Sequence, residues 1–238
     1  MKILGIIPAR GGSKGIPRKN IKLLGGKPLL AYTVDAVKAS KYLDNCILSS
    51  EDDPIIQTGI NLGLEVPFKR PEELAEDHST SLDVVKHAIA FFEKNNVFFD
   101  AICLLQVTSP FRKKLLIDEA IQKFKKSGAD SLLSVRQIPA EFNPHWVFEE
   151  NENQRLKIAT GEEEIITQRQ QLPKAYYRDG AIYLSKTEVI KAQNSLYGKD
   201  ISFIDTTGSP YVNIDEMRDW EEAEKIIKTE KWKKGNIS

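Results

Sequence analysis

The chain has 238 residues, of which 41% are hydrophobic and 29% charged. That is enough for one large domain with its own core, and it excludes a disordered chain or a fibrous repeat. Its 34 basic and 34 acidic side chains cancel, yet residues 1–34 hold seven basic groups (Lys2, Arg10, Lys14, Arg18, Lys19, Lys22, Lys27) and no acid. A cationic opening on an otherwise acidic chain points to one anion site and away from a nucleic-acid surface. No apolar run approaches the ~18 residues that span a bilayer. The start MKILGIIPAR lacks a signal-peptide pattern. Cys46 and Cys103 sit in apolar stretches without paired spacing, as buried thiols in a reducing compartment do. The expectation is a soluble cytoplasmic protein with no membrane or nucleic-acid partner.

The pattern predicts a buried strand over 3–7, then a helix opened by Pro28 with Leu29, Leu30, Tyr32, Thr33, Ala36 and Val37 at helical spacing. A second strand at 46–48 precedes a helix from Asp53 that Gly63 ends. A third strand is expected over 64–68, stopped by Pro71. Residues 79–81 offer caps for a helix carrying Leu82, Val85, Ala88, Ile89 and Phe92 on one face. A fourth strand follows at 101–105, a helix marked by Ile117, Ala120, Ile121 and Phe124, and a strand at 131–135. Strands alternating with helices imply βαβ units, right-handed crossovers and a mostly parallel sheet. The rhythm breaks at Gln137: residues 138–172 are polar and aromatic-spotted, and read as a small β-rich arm. Strands return at 181–184 and 201–204. A last helix runs from Glu216 to about Lys228 with Trp220, Ala223 and Ile227 on one face, and the terminal KWKKGNIS is expected to fray. The fold class is α/β: a single Rossmann-like three-layer domain over 1–238, with 138–172 as an inserted arm.

The segment IPARGGSKGIPRKN directly follows the first strand. Ligands of open α/β sheets bind outside the carboxyl ends of the strands. The glycines let backbone approach a ligand, consecutive amides can line a phosphate, and Arg10, Lys14 and Lys19 add charge. An ordinary solvated loop is the competing reading. The loop is not a Walker A motif, because Ile16 and Pro17 stand where Lys-Ser/Thr belongs, nor does it supply G-x-G-x-x-G.

IPARGGSKGIPRKNI resembles the opening signature of the acylneuraminate cytidylyltransferases, the CMP-sialic acid synthetase family. Four more similar motifs follow in order: RPEELAEDHSTS at 70–81, LLQVTSPFR at 104–112, RQQLPKAYYRDGAIYL at 169–184 and VNIDEMRDWEEAE at 212–224. The resemblance implies an enzyme that activates a 2-keto sugar acid (N-acetylneuraminate, legionaminate or pseudaminate) with CTP. The anomeric hydroxyl attacks the α-phosphorus and pyrophosphate leaves.

By the same resemblance Arg10 faces the triphosphate, Lys14 and Lys19 support it, and Asn20 recognises the cytosine side. Ala9, Gly12, Ser13, Arg70, Ser79 and Ser81 complete the implied nucleotide set. Read without it, Arg70 is a loop charge and the two serines are helix caps. Gln106, a polar residue closing an apolar strand, is implied beside the sugar and α-phosphate, with Thr108 and Ser109 continuing the match. Arg169 falls on the position that binds the acidic sugar, where a guanidinium suits a carboxylate. Tyr183 resembles the tyrosine facing the sugar; a half-buried strand aromatic is its plain alternative.

The family's two aspartates at i and i+2 are here Asn213 and Asp215. Spacing of two on a strand puts both on one face. Asn213 keeps an oxygen but loses a charge, so it is a weaker ligand for Mg2+ or Mn2+. Asp219 is expected one helical turn along. Arg10, Lys19, Gln106 and Asp215 are the implied catalytic set. The 138–172 arm coincides with the family's dimerisation segment, with Phe142, Trp146 and Phe148 as apolar contacts; an ordinary lid is the alternative. The competing functions are transfer to Kdo or another sugar, although Kdo enzymes usually carry Asp at the place of Gln106, and a degenerate CTP-binding protein, which Asn213 alone favours.

Overall fold

Alternation along β1 (Ile3–Pro8) sends Ile3 and Ile7 to one face and Leu4 and Ile6 to the other, and all four are buried. The computed structural model describes residues 1–229; the expectation for KWKKGNIS lies outside the described residues. After β1 the loop turns through a 3-10 segment, Lys19–Ile21, and a short hairpin of β2 (Leu23–Leu24) and β3 (Lys27–Pro28). Then come α1 (Leu29–Ala39), β4 (Asn45–Ser49) and α2 (Asp53–Asn61). Asp52 caps α2 by accepting from Ile55 N at 3.0 Å. The chain continues through α3 (Ser81–Lys94), β5 (Ala101–Leu104), α4 (Leu116–Ser127) and β6 (Ser131–Gln137). The arm holds β7 (Phe148–Glu150) and β8 (Leu156–Ile158), paired antiparallel. Last are β9 (Tyr176–Lys186), α5 (Thr187–Gln193), β10 (Ile201–Asp205) and α6 (Met217–Lys228).

The central sheet has the order β10-β6-β9-β5-β1-β4. β1 pairs parallel with both β4 and β5, and β10 parallel with β6. The strand expected at 181–184 is in fact eleven residues long and enters antiparallel between β5 and β6. One core lies on each face: α1, α4 and α6 bury Leu30, Ile121 and Trp220 on one side, and α3 and α5 bury Val85, Phe92 and Ile190 on the other. Burying side chains of this size stabilises by ~1.5–3 kcal/mol each, which makes these two faces the main source of stability.

The strand expected at 64–68 shrinks to one parallel bridge, Glu65 with Ile47; Pro67 has no N–H to extend the ladder. Of the cap candidates at 79–81, Thr80 is the one used: its hydroxyl accepts from Asp83 N at 3.2 Å and Asp83 answers on Thr80 N at 3.0 Å. Ser79 instead donates to Glu73 O at 2.6 Å. Cys46 and Cys103 are free and flank Gly5 on two different strands, roughly 9–10 Å apart by strand spacing and too far to bridge. No helix among the described residues is long and apolar enough to cross a membrane.

Candidate active site

β1 stands where the chain reverses its direction across the sheet, with β4 added on one side and β5 on the other. The crevice at such a switch point is the usual binding place of an open α/β sheet. Here it is a cleft of about 530 Å³. Arg10, Ser13, Lys14, Lys19 and Asn20 line it from the loop after β1, and Gln106 and Thr108 from the end of β5. Arg70, Ser79 and Ser81 come from the segment before α3, and Asn213 and Asp215 from the segment before α6. Twelve of the residues picked from sequence, drawn from four of the five motifs, therefore meet in one place.

The loop is closed on the far wall by Lys19, whose Nζ donates to Ile214 O at 2.7 Å and to Asp215 Oδ1 at 3.0 Å. Gly15 makes this approach possible: a Cβ there would stand 2.0 Å from the Asp215 carbonyl oxygen. Asn20 Nδ2 donates to Arg10 O at 2.9 Å and so holds the loop's entry. Segment 211–215 is not a strand, yet it keeps alternation, since Val212 and Ile214 are buried in the core while Asn213 and Asp215 face the cleft. Asn213 Nδ2 donates to Asp215 Oδ2 at 2.5 Å, so the two polar groups converge on one spot. Asp219 lies in the first turn of α6, as expected, and turns back to cap that helix. Its carboxylate accepts from Asp215 N at 3.0 Å and Glu216 N at 2.8 Å; burial raises its pKa, but these two amides outweigh that and lower it.

Behind the loop, Glu51 accepts from Gly11 N at 2.7 Å with one oxygen and from Arg70 Nη2 at 2.5 Å with the other. Burial raises the Glu51 pKa, and the Gly11 amide and Arg70 together reverse this to a net lowering. Arg70 is 4% exposed, and its Nε has no hydrogen-bond partner among the described residues. That is a buried donor at the cleft wall of the kind a bound nucleotide satisfies.

Behind Gln106, Arg112 is buried and spends its guanidinium on three segments: Ala181 O at 2.9 Å, Thr33 Oγ1 at 3.0 Å and Gln106 O at 2.5 Å. Burial pushes it down to about 10. β9 bulges opposite Gln106: β6 advances two residues from Leu133 to Val135 while β9 advances five, from Tyr183 to Arg178. The buried Asp179 holds this bulge, accepting from Ser134 Oγ, from Ala181 N at 2.9 Å and from Thr206 Oγ1 at 2.5 Å.

Other residues picked from sequence stand elsewhere. Tyr183 is 5% exposed in the core on the α3 face, because its register on β9 sets it opposite Leu104 and Leu133, and burial raises its pKa. Ser109 points inward and donates to Asp179 O at 3.0 Å. Arg169 lies in a separate depression of about 360 Å³ between the arm and the body, with Asn143 and Thr207. Ala9 is buried and Gly12 faces open space. Sequence reasoning missed Asp77, which lies inside the 70–81 motif, and Glu51, which follows the second strand; acids carried no signal of partnership with the basic loop until the fold paired them.

Among solved structures, CMP:2-keto-3-deoxy-manno-octonic acid synthetase complexed with CTP superposes with a TM-score of 0.71, covering 95% of this chain and 98% of that one at 16% identity. The two chains share one fold. A family model described as "Cytidylyltransferase" matches residues 4–229. The chain is similar to pseudaminic acid cytidylyltransferase of Campylobacter jejuni, 33% identical over 228 residues that cover 96% of this chain and 97% of the relative. It is equally similar to CMP-N,N'-diacetyllegionaminic acid synthase of Legionella pneumophila, 33% identical over 237 residues covering 95% of this chain and 97% of the relative. The chain belongs to the cytidylyltransferase family, in its acylneuraminate (CMP-sialic acid synthetase) branch.

Proposed function

We propose that the chain transfers CMP from CTP to the anomeric hydroxyl of a nine-carbon, sialic-acid-like 2-keto sugar acid. The observation that carries this reading is the convergence of motifs nearly 200 residues apart on one cleft, with cations on one wall and an acid–amide pair on the other. The hydroxyl oxygen bonds the α-phosphorus and loses its proton, the bond from that phosphorus to the bridging oxygen breaks, and pyrophosphate departs. Arg10, Lys14 and Lys19, which line the cleft, meet the charge that grows on the leaving group. Gln106, held through its carbonyl by Arg112, reaches the floor where sugar and α-phosphate meet. Arg70 and Asn20 serve the nucleotide side.

Asp215 and Asn213 fit a hard divalent ion as part of a ligand set: Asp215 offers a carboxylate, and the Asn213 amide, whose Nδ2 is turned to that carboxylate here, offers its oxygen once the amide rotates. Among the described residues no group of three or more His, Cys, Asp or Glu could hold an ion unaided, so phosphate oxygens and water supply the remainder. Bound there, Mg2+ or Mn2+ contributes neutralisation of pyrophosphate charge.

The arm supports a homodimer reading: Phe142, Val147, Phe148, Leu156 and Ile165 are exposed apolar side chains gathered within one short stretch of chain. The cytoplasm suits two free thiols, Cys103 buried and Cys46 partly so, and a nucleoside triphosphate substrate. Pyrophosphate release from CTP, measured with N-acetylneuraminate, legionaminate and pseudaminate singly and in competition, tests the reading and ranks the sugars. Binding of CTP without pyrophosphate release from any of them, at any Mg2+ concentration, would establish a nucleotide-binding protein that performs no transfer.

A further inference from the structure

Segment 75–77, between the 3-10 turn Glu72–Leu74 and α3, is fastened to the signature loop by contacts that all fall on two of its cations. Arg10 Nη1 donates to Ala75 O at 3.3 Å and Glu76 O at 3.2 Å. Its Nη2 lies 3.1 Å from Asp77 Oδ1, and Lys14 Nζ lies 2.6 Å from Asp77 Oδ2. The Lys14 ammonium, with Arg10 beside it, holds the Asp77 carboxyl below the usual carboxylate range. One carboxylate thus bridges two cations with its two oxygens, as two oxygens of a phosphoryl group would.

The other loop cations face carboxylates with further duties. Arg18 lies 3.8 Å from Asp52, which caps α2, and Lys19 lies 3.0 Å from Asp215 of the acid–amide pair. Asp77 is different. Its carboxylate is exposed and sits on the two cations most open to the cleft. Exposed pairs of this kind are weak and easily exchanged for a stronger anion. A polyphosphate on Arg10 and Lys14 would set like charges against Asp77 at contact distance, so both cannot hold the cations together.

We infer that Asp77 is the exchangeable counter-ion of the triphosphate site. It holds Arg10 and Lys14 extended over the cleft, gives them up when the triphosphate arrives, and takes them back as pyrophosphate leaves. It therefore lowers affinity for triphosphate and pyrophosphate alike and favours product release. This rests on the reading of the cleft as a CTP site.

The test is calorimetric binding of inorganic pyrophosphate and of CTP to the full chain, wild type against Asp77→Asn. The substitution is isosteric and lies at the surface. Both ligands should bind about threefold to tenfold more tightly to Asp77→Asn, and the gain should shrink as salt rises. Glu76→Gln, which removes an adjacent acid paired with His78 rather than with the loop, should gain less. A wild-type chain that binds neither ligand overturns the reading of the cleft, and this inference with it. A wild type that binds, with Asp77→Asn equal or weaker, overturns this inference alone. An equal gain in Glu76→Gln does the same, because general charge then accounts for the effect.

Discussion

Lys19 Nζ sits 3.0 Å from Asp215 Oδ1 although 196 residues separate the two. The contact joins the cationic loop after β1 to the segment before α6, and Gly15 packs directly on the Asp215 backbone beneath it. One ammonium group therefore both compensates Asp215 and faces the place proposed for the triphosphate. The two walls are set as a unit.

Lys19→Met keeps the length of the side chain and removes its charge. Loss of a fixed donor at a developing anion costs roughly 10²–10³ in kcat, and that is the expected fall in steady-state pyrophosphate release. A loss under about tenfold would take Lys19 out of the chemistry.

Asn213→Asp restores a second carboxylate beside Asp215. The Mg2+ concentration that gives half-maximal activity should drop, because a hard cation gains a charged ligand. A titration of activity against Mg2+ reads this directly, and an unchanged curve would place position 213 off the ion.

Glu51 makes the site pH-sensitive on the acid side. Its folded pKa is below the ordinary value despite burial, because the Gly11 amide and Arg70 favour the ionised form. A depressed carboxylate pKa contributes stability that is complete above the ordinary Glu value of about 4.3 and is lost as pH falls through the lower folded value. Urea midpoints of wild type and Glu51→Gln should differ near neutrality and converge toward about pH 3. A constant gap over that range would show that the Glu51 charge does not hold the loop.

Gly180 has φ +78°, and a Cβ there would lie 2.9 Å from both Gln106 Oε1 and Ser109 Oγ. Gly180→Ala should cost about 1–3 kcal/mol from backbone strain, measured by denaturant melts. It should also lower kcat/KM for the sugar acid more than for CTP, since Gln106 is the group displaced. Equal losses for both substrates would detach Gln106 from sugar binding.

Much of this was legible along the chain. Period and punctuation located β1, α1, α3, β5, α4 and β6, because apolar spacing and Gly, Pro or cap residues act within a few neighbours. Charge and glycine made the signature loop a candidate anion site, with an ordinary solvated loop as the competing reading, and its place after a strand put it at the rim of a cleft. Pattern was silent where pairing partners are remote. The strand expected over 64–68 had the right residues but a single bridging position, Glu65 with Ile47. β9 carries a continuous apolar run over 181–184 that cannot reveal an antiparallel entry between β5 and β6, nor the bulge at Gly180.

The seven positives among the first 34 residues, the motifs spaced behind them and the family to which the chain belongs were determined by the sequence itself. The tertiary structure decided how those charges are spent, Arg10 and Lys14 on Asp77 and Lys19 on Asp215, and it brought the Gly11 amide and Arg70 together on Glu51. It also sent Tyr183 into the core and left Gln106 at the cleft floor. The physical reason is that a side chain's face follows from strand register, and its counter-ion from which distant segments the sheet brings together. Both are set by packing across the whole molecule, so neither is written in local spacing.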